Sequence, residues 1–360
     1  MRRRRSTALP GSPVLFWAIV TTFAAELAAA GFCFTLVLLL APTAGLPAVL
    51  AEAANPTADI SDTPPNIVTD SKCEDWVAWL PPKPDPAVVL QVVNDNYINM
   101  ERNFIRLMEK NSIFTRHNLF LICMDEGSVR FFSESLGIRC IPLNRFKLSP
   151  HYTKNFIWKL RVRVVKCLLE VGQVDVIMSD ADALWLKDPA QELYINGSSP
   201  HLFPDVQQAI HRSSVVASRG SFPFPLGTRW GSTMCMGFIL FRHFNAAGME
   251  ELLARMEVIA LKAADDQVAI NEAADQLGVV WDQGSEMRYT RSANFGTGTI
   301  SSLPADEQGH PFAVTLLPHT RYPRLCNFDP ISAETVVAHC AGDKPMWMMK
   351  AKLWSVTIDQ

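Results

Sequence analysis

From residue 87 onward, short apolar runs alternate with amphipathic stretches, and this alternation leaves few architectures open. Residues 87–93 read as a buried strand, followed by the turn signal Asn94-Asp95-Asn96. Residues 100–110 place Phe104, Ile105, Leu107 and Met108 at helical spacing. Residues 119–124 read as a second strand and 129–136 as a helix closed by Gly137. Residues 138–143 form a short third strand. Such repetition is the mark of an α/β chain with a mostly parallel sheet and covering helices. The helix expected over 156–171 aligns Ile157, Leu160, Val164, Leu168 and Val171 on one face and stops at Gly172. It leads into an apolar, β-branched run at 174–178.

That run ends in Ser179-Asp180-Ala181-Asp182, with Trp185 and Asp188-Pro189 after it. Strand side chains alternate, so the two Asp two residues apart can converge at the strand end. Open α/β sheets bind ligands at the carboxyl ends of their strands. Two hard oxygen donors there suit Mn²⁺ or Mg²⁺ shared with ligand phosphates. The plainer reading gives one Asp to a turn cap and leaves the other solvated.

Other candidates lie further along the chain and before it. Asn94, after the first strand, suits a base or ribose contact or an ordinary Asx turn. The basic residues of the 156–171 helix read as a solvated face, except Lys159, kept as a phosphate contact. Residues 190–232 read as a long irregular loop. Gly237, inside an apolar strand at 234–242, marks close approach of a ligand or a packing neighbour. Asp266 and Gln267 open a helix, where Asp is a natural cap, and the pair also suits sugar hydroxyls. The Gly-rich 295–299 segment comes after no clear strand and carries little. His339, Gly342 and Lys344 close the domain: imidazole accepts Mn²⁺ and Lys offers a point charge to phosphate.

The N-terminus bears a basic cluster, Arg2 to Arg5, then an apolar run over 14–41 broken only by Glu26. A bilayer core of about 30 Å needs roughly 20 such residues. We read residues 1–13 as a cytoplasmic tail, 14–41 as a signal-anchor, 42–86 as a stem and 87–360 as the catalytic body. A cleaved signal peptide is the rival, given small-residue sites near residues 28–30 and 51–53. Positive charge inside leaves the body lumenal, in agreement with the acceptor triplet at Asn196. The net charge is −3, and without residues 1–50 the chain holds 29 basic and 35 acidic residues, so no nucleic-acid partner is expected. Of eight Cys, Cys33 lies in the anchor. The other seven are an odd number, so at least one stays unpaired or pairs between chains. Cys326 with Cys340 is the pairing expected. No Cys-x-x-Cys pair occurs, so a zinc site is not expected.

Taken in order, the Lys159 helix, Asp180-Ala181-Asp182 with Trp185 and Asp188-Pro189, the Gly237-Phe238 strand, Asp266-Gln267, and His339 with Lys344 resemble one family over residues 86–350. The chain resembles the nucleotide-diphospho-sugar transferases of the plant and algal arabinosyl-/xylosyltransferase type, glycosyltransferase family 77. The resemblance implies a GT-A, Rossmann-like fold, a single-pass type II Golgi anchor, a uridine-type nucleoside-diphosphate sugar donor, a glycan or glycoprotein acceptor, and retention of configuration. It implies that Asp180, Asp182 and His339 hold Mn²⁺. Lys344 and Lys159 would face the diphosphate, and Asp266 and Gln267 the donor sugar and acceptor. Cys235-Met236 stand where that pattern commonly has Asn-Thr, a departure that bears on acceptor choice. Two rivals are a haloacid-dehalogenase-like phosphatase, which also uses Asp-x-Asp after a strand, and a non-catalytic lumenal nucleotide-sugar-binding subunit.

Overall fold

The computed structural model describes residues 71–82, 84–146, 154–195, 204–263, 265–282, 295–324, 331–340, 344–350 and 352–354. All lie in the unit spanning residues 62–360. The expected anchor at 14–41, Asn196, Gly342 and Cys326 fall outside the described residues. Among the described residues, no helix is long and apolar enough to cross a membrane.

Strand β1, Val88–Val93, sends Val88 and Leu90 into one core cluster and Val89 and Val93 into another. This is the alternation that a strand buried on both faces imposes. Beyond it come β2 (Leu119–Cys123), β3 (Cys140–Pro142), β4 (Val176–Ser179), β5 (Ala183–Trp185), β6 (Val215–Gly220), β7 (Thr233–Phe241), β8 (Val280–Trp281), β9 (Gly296–Thr299), β10 (Ala313–Leu316) and β11 (Val337–His339). Nine strands form one sheet in the order β3-β2-β1-β4-β7-β6-β10-β9-β8, and β11 pairs with β5 in a separate ribbon. β7 and β9 run against the other seven. The sheet is mostly parallel, as expected.

Helices α1 (Cys73–Val77), α2 (Ile98–Asn111), α3 (Lys154–Glu170), α4 (Phe224–Trp230), α5 (Ala246–Ala263), α6 (Asp266–Gln276) and α7 (Lys344–Lys350) frame these strands. Residues of α3, α5 and α6 share the core cluster of Val88 and Leu90, and residues of α2 share that of Val89 and Val93. α3 is buried more widely than the single stripe expected, with Val162, Val165, Cys167 and Leu169 inside as well. Val171, assigned to that stripe, lies beyond the helix end and is exposed.

Several expectations are corrected. The long loop at 190–232 contains helices Ala190–Leu193 and Pro204–Arg212, then β6 and α4. β6 was hidden because it carries Ser218, Arg219 and Gly220 at positions the sheet buries. The 295–299 segment is mostly strand: β9 pairs with β10 and β8, and Gly298 leaves room for the Trp281 ring. Near the end of the expected stem, α1 packs on the body, with Trp76 in the core and Trp79 against it. Trp76 there is fully buried, and Cys73 is disulfide-bonded to Cys167 of α3. Cys123 pairs with Cys140 across β2 and β3, Cys340 is disulfide-bonded, and Cys235 is free and buried.

Glu101 of α2 is fully buried, and neither carboxylate oxygen has a hydrogen-bond partner. Burial first, and the charge of Asp180 second, push its carboxyl up to about 8. The unfolded chain ionises Glu101 near 4.5 while the folded protein keeps it protonated. This group therefore subtracts stability as pH rises from the unfolded value towards the folded one. Glu101→Gln is expected to match the wild type at pH 4.5 and to exceed it by about 1–3 kcal/mol at pH 8. Urea midpoints at the two pH values check this, and a variant less stable than the wild type at pH 8 would overturn it.

Candidate active site

The turn after β4 is built to hold two carboxylates still. The Asp180 N–H donates to Gly237 O at 2.8 Å, and the Ala183 N–H donates to Asp180 O at 2.9 Å. Trp185 anchors the far end of this turn: its ring meets Phe104, Phe114 and Phe238 edge-on at 5.4, 5.1 and 6.0 Å, and its Nε1 donates to Ser179 Oγ. Asp188 caps the next turn, accepting from the Ala190 N–H at 2.9 Å. Trp185 and Asp188 thus brace the carboxylate turn.

His339 arrives from 157 residues away because β11 pairs antiparallel with β5, setting His339 opposite Ala183. Its Nε2 lies 3.1 Å from Asp182 Oδ2 and 3.9 Å from Asp180 Oδ2. Lys344 Nζ lies 2.8 Å from the same Asp182 oxygen. Asp180, Asp182 and His339 each offer a ligand atom, all within 4.8 Å of one another. Two carboxylates and an imidazole are a suitable donor set for Mn²⁺. Gly237 makes the room: a Cβ built there would sit 2.0 Å from His339 Cε1 and 3.0 Å from Asp180 Oδ2. Close approach is therefore its role, and the neighbour is the imidazole. On the other side of that ring, Nδ1 lies 3.9 Å from Cys235 Sγ.

Charge in the cluster is tightly coupled. Burial alone would raise the Asp182 carboxyl, but His339 and Lys344 more than offset this and hold it well below the usual carboxylate range. Burial would lower the His339 imidazole, yet Asp182 lifts it to about 9. Burial also works against the Lys344 ammonium, and Asp182 chiefly raises it.

Arg161, left on the solvated face by sequence reasoning, is a central part of the site. It is 6% exposed, with Nη2 3.0 Å from Asp180 Oδ1 and Nε 3.1 Å from Asp266 Oδ2. Its Nη2 also donates to Met236 O, and Nε–H is aimed at Met178 Sδ. Lys159 does not line the cavity, where α3 instead presents Ile157, Trp158 and Arg161. Two residues on a helix are about 200° apart, so choosing Lys159 over Arg161 chose the opposite face. The signal was available: Arg161 lies four residues after Ile157, on the apolar face, where an unpaired charge is costly.

Asp266 is buried, and burial raises its carboxyl to about 7 against the pull of Arg161. Asp265, not Asp266, is the helix cap, accepting from the Val268 N–H. Gln267 is turned away from the cluster, its Nε2 donating to Phe222 O at 2.6 Å.

Beside the carboxylates opens a cavity of about 460 Å³, lined by Gln91, Asn94, Tyr97, Trp158, Arg161, Asp180, Asp182 and Lys344 among others. Asn94 makes no capping bond, so the Asx-turn reading fails. Its Oδ1 and the Nε2 of Gln91 are buried polar atoms without a partner at the cavity wall. Such atoms are costly unless a ligand or water meets them. Gln91, Tyr97 and Trp158 were not singled out from the sequence. Gln91, a polar residue inside an otherwise apolar strand, was the readable sign.

The family model for nucleotide-diphospho-sugar transferases matches residues 115–352. No curated protein matches the chain. Among solved structures, the chain is similar to the glycosyltransferase GlyE of Streptococcus pneumoniae TIGR4, at 12% identity and a TM-score of 0.39, over 75% of this chain and 60% of that one. It is similar to the WbbM bifunctional glycosyltransferase at 12% identity and a TM-score of 0.38, over 76% of this chain and 50% of that one. The galactosyltransferase LgtC with donor and acceptor sugar analogues is a third, at 10% identity and a TM-score of 0.30, over 75% and 97%. The chain thus spans three-fifths and half of the first two proteins.

Proposed function

The chain belongs to the nucleotide-diphospho-sugar transferase family, and we propose that it is a glycosyltransferase that moves a sugar from a uridine-diphosphate donor to a glycan or glycoprotein acceptor. The observation that carries this reading is the convergence of Asp180, Asp182 and His339, with ligand atoms within 4.8 Å, beside a cavity holding unpartnered polar atoms. These three residues would hold Mn²⁺ or Mg²⁺, which supplies Lewis-acid stabilisation to a departing diphosphate.

The residues divide the work. Gln91 and Asn94 offer a donor and an acceptor to the nucleoside. Lys344 brings positive charge to the diphosphate side, where preorganised electrostatics lower the barrier to its departure. Arg161 fixes Asp180 and Asp266 against one another, and the family resemblance assigns Asp266 to the sugar side. Retention of configuration and a GT-A assignment rest on the resemblance to glycosyltransferase family 77. So does a Golgi location; a type II anchor at 14–41, a stem before the body, a catalytic domain reaching residue 360, glycosylation at Asn196 and a diphosphate contact by Gly342 rest on the sequence pattern itself.

A donor panel tests the reading. With Mn²⁺, at least one uridine-diphosphate sugar should release nucleoside diphosphate, faster with wall glycan or glycoprotein present. NMR of the product anomer checks retention. No release from any donor, with phosphate freed from simple esters instead, would replace this reading by a phosphatase.

A further inference from the structure

Phe222 and Phe224 are exposed aromatic rings that touch each other. They are 38% and 67% exposed, with ring centroids 5.8 Å apart in an edge-to-face contact. Exposed apolar surface that is contiguous, not scattered singly, is the kind that marks interaction sites. The mount of this pair is firm. Phe222 O accepts from Gln267 Nε2 at 2.6 Å and from Thr233 Oγ1 at 2.7 Å. Leu226 and Trp230, on the same short helix, are buried beneath.

Its place in the fold says what the surface faces. Phe222 stands two residues past the end of β6, which runs in the same direction as β4, so both carboxyl ends lie on one sheet edge. Only β7 separates the two strands, a lateral offset of about 10 Å at ordinary strand spacing. Contacts link them: Asp180 to Arg161 at 3.0 Å, Arg161 to Asp266 at 3.1 Å, then the next residue, Gln267, to Phe222. The cavity with Gln91 and Asn94 opens on the opposite, β1 side of the carboxylates. Along that edge the order is nucleoside cavity, carboxylate cluster, Asp266, aromatic pair. A group leaving the nucleotide must be received on the side away from it.

We propose that Phe222 and Phe224 form the platform on which the acceptor saccharide stacks; this rests on the transferase reading. A sugar ring presents C–H groups of slight positive charge on one face, and an aromatic ring presents a negative π face. The match requires no charged partner, and it positions a hydroxyl towards Asp266 without supplying catalysis. The two phenylalanines set acceptor choice and leave the donor untouched.

The test separates this proposal from the function it rests on. Phe222→Ala/Phe224→Ala in the full chain is compared with the wild type and with Phe224→Trp. Saturation-transfer NMR uses methyl β-xylopyranoside, methyl β-galactopyranoside and methyl α-arabinofuranoside as probes. At least one glycoside should bind the wild type, lose binding about tenfold or more in the double variant, and recover with Trp. Mn²⁺-dependent hydrolysis of the donor in water should stay within about twofold in both variants. Wild-type binding of the probes by the double variant, or no binding of any probe to the wild type, would overturn the platform. Absence of donor turnover in the wild type would count against the transferase reading alone, because glycoside binding reports on the platform independently.

Discussion

Asp182→Asn is expected to lower nucleoside-diphosphate release at least about 100-fold while the protein still folds. The carboxylate is 2% exposed and shared by His339 at 3.1 Å and Lys344 at 2.8 Å, so it anchors the cation cluster and organises its two basic neighbours. Asn keeps the shape and removes the charge. Removing one partner of a buried pair destabilises by about 3–5 kcal/mol in the harshest cases. Asn retains an acceptor oxygen, so the loss should fall below that. Both partners set the sign with pH. A carboxyl held low contributes stability above its ordinary range and loses it on acidification. An imidazole lifted to about 9 contributes fully below its unfolded value near 6.5 and loses this as pH rises through 9. The deficit of Asp182→Asn in metal-free protein should therefore be largest between about pH 4 and 6.5 and shrink on either side. Urea midpoints across that range, with turnover in Mn²⁺, measure both. Undiminished turnover in the variant would remove Asp182 from the site.

Gly237→Ala is expected to be as damaging by a purely steric route. Its methyl would stand 2.0 Å from His339 Cε1 and 2.6 Å from Nδ1. A gap that short cannot be met by relaxation of a few tenths of an ångström, and the ring is held behind by Cys235 and in front by Asp182. The imidazole must leave its place, and the three-donor cluster becomes two. Mn²⁺ affinity, read by electron paramagnetic resonance, should fall about 10–100-fold, the usual consequence of disturbing how a ligand is oriented. Turnover should fall by two orders of magnitude or more at limiting metal. Gly237 lies in the middle of β7 at an ordinary backbone angle, so the strand itself accepts alanine. Wild-type affinity in Gly237→Ala would show that His339 does not hold the ion.

Much of the architecture could be read along the chain. Short, nearly continuous apolar runs over 87–93 and 119–124, and helical period over 100–110, are properties of neighbours within one element, so they predicted β1, β2 and α2. Asp180 and Asp182 declared themselves because the strand and the turn that carry them are contiguous with them. β6 escaped because several of its buried positions are polar and their partners come from elsewhere: Ser218 Oγ donates to Phe238 O at 3.2 Å, and Arg219 Nε donates to Leu317 O. Those bonds offset the cost of burial, and no short stretch of neighbouring sequence contains them.

The site divides along the same line. Order along the chain was enough to place two carboxylates at a strand end and a glycine inside a later strand; that the two strands are neighbours was decided by the sheet. Which cation joins them was a matter of helix phase: Lys159 and Arg161 are equivalent as letters and stand on opposite sides of α3. The meeting of His339 with Asp182 depends on β11 finding β5, and the seat of Gln267 on Phe222 depends on β6 ending at the same sheet edge as β4. Local periodicity comes from backbone geometry that each residue carries with it. Pairing across 157 residues exists only after the sheet has chosen its order, and the chemistry resides in that pairing.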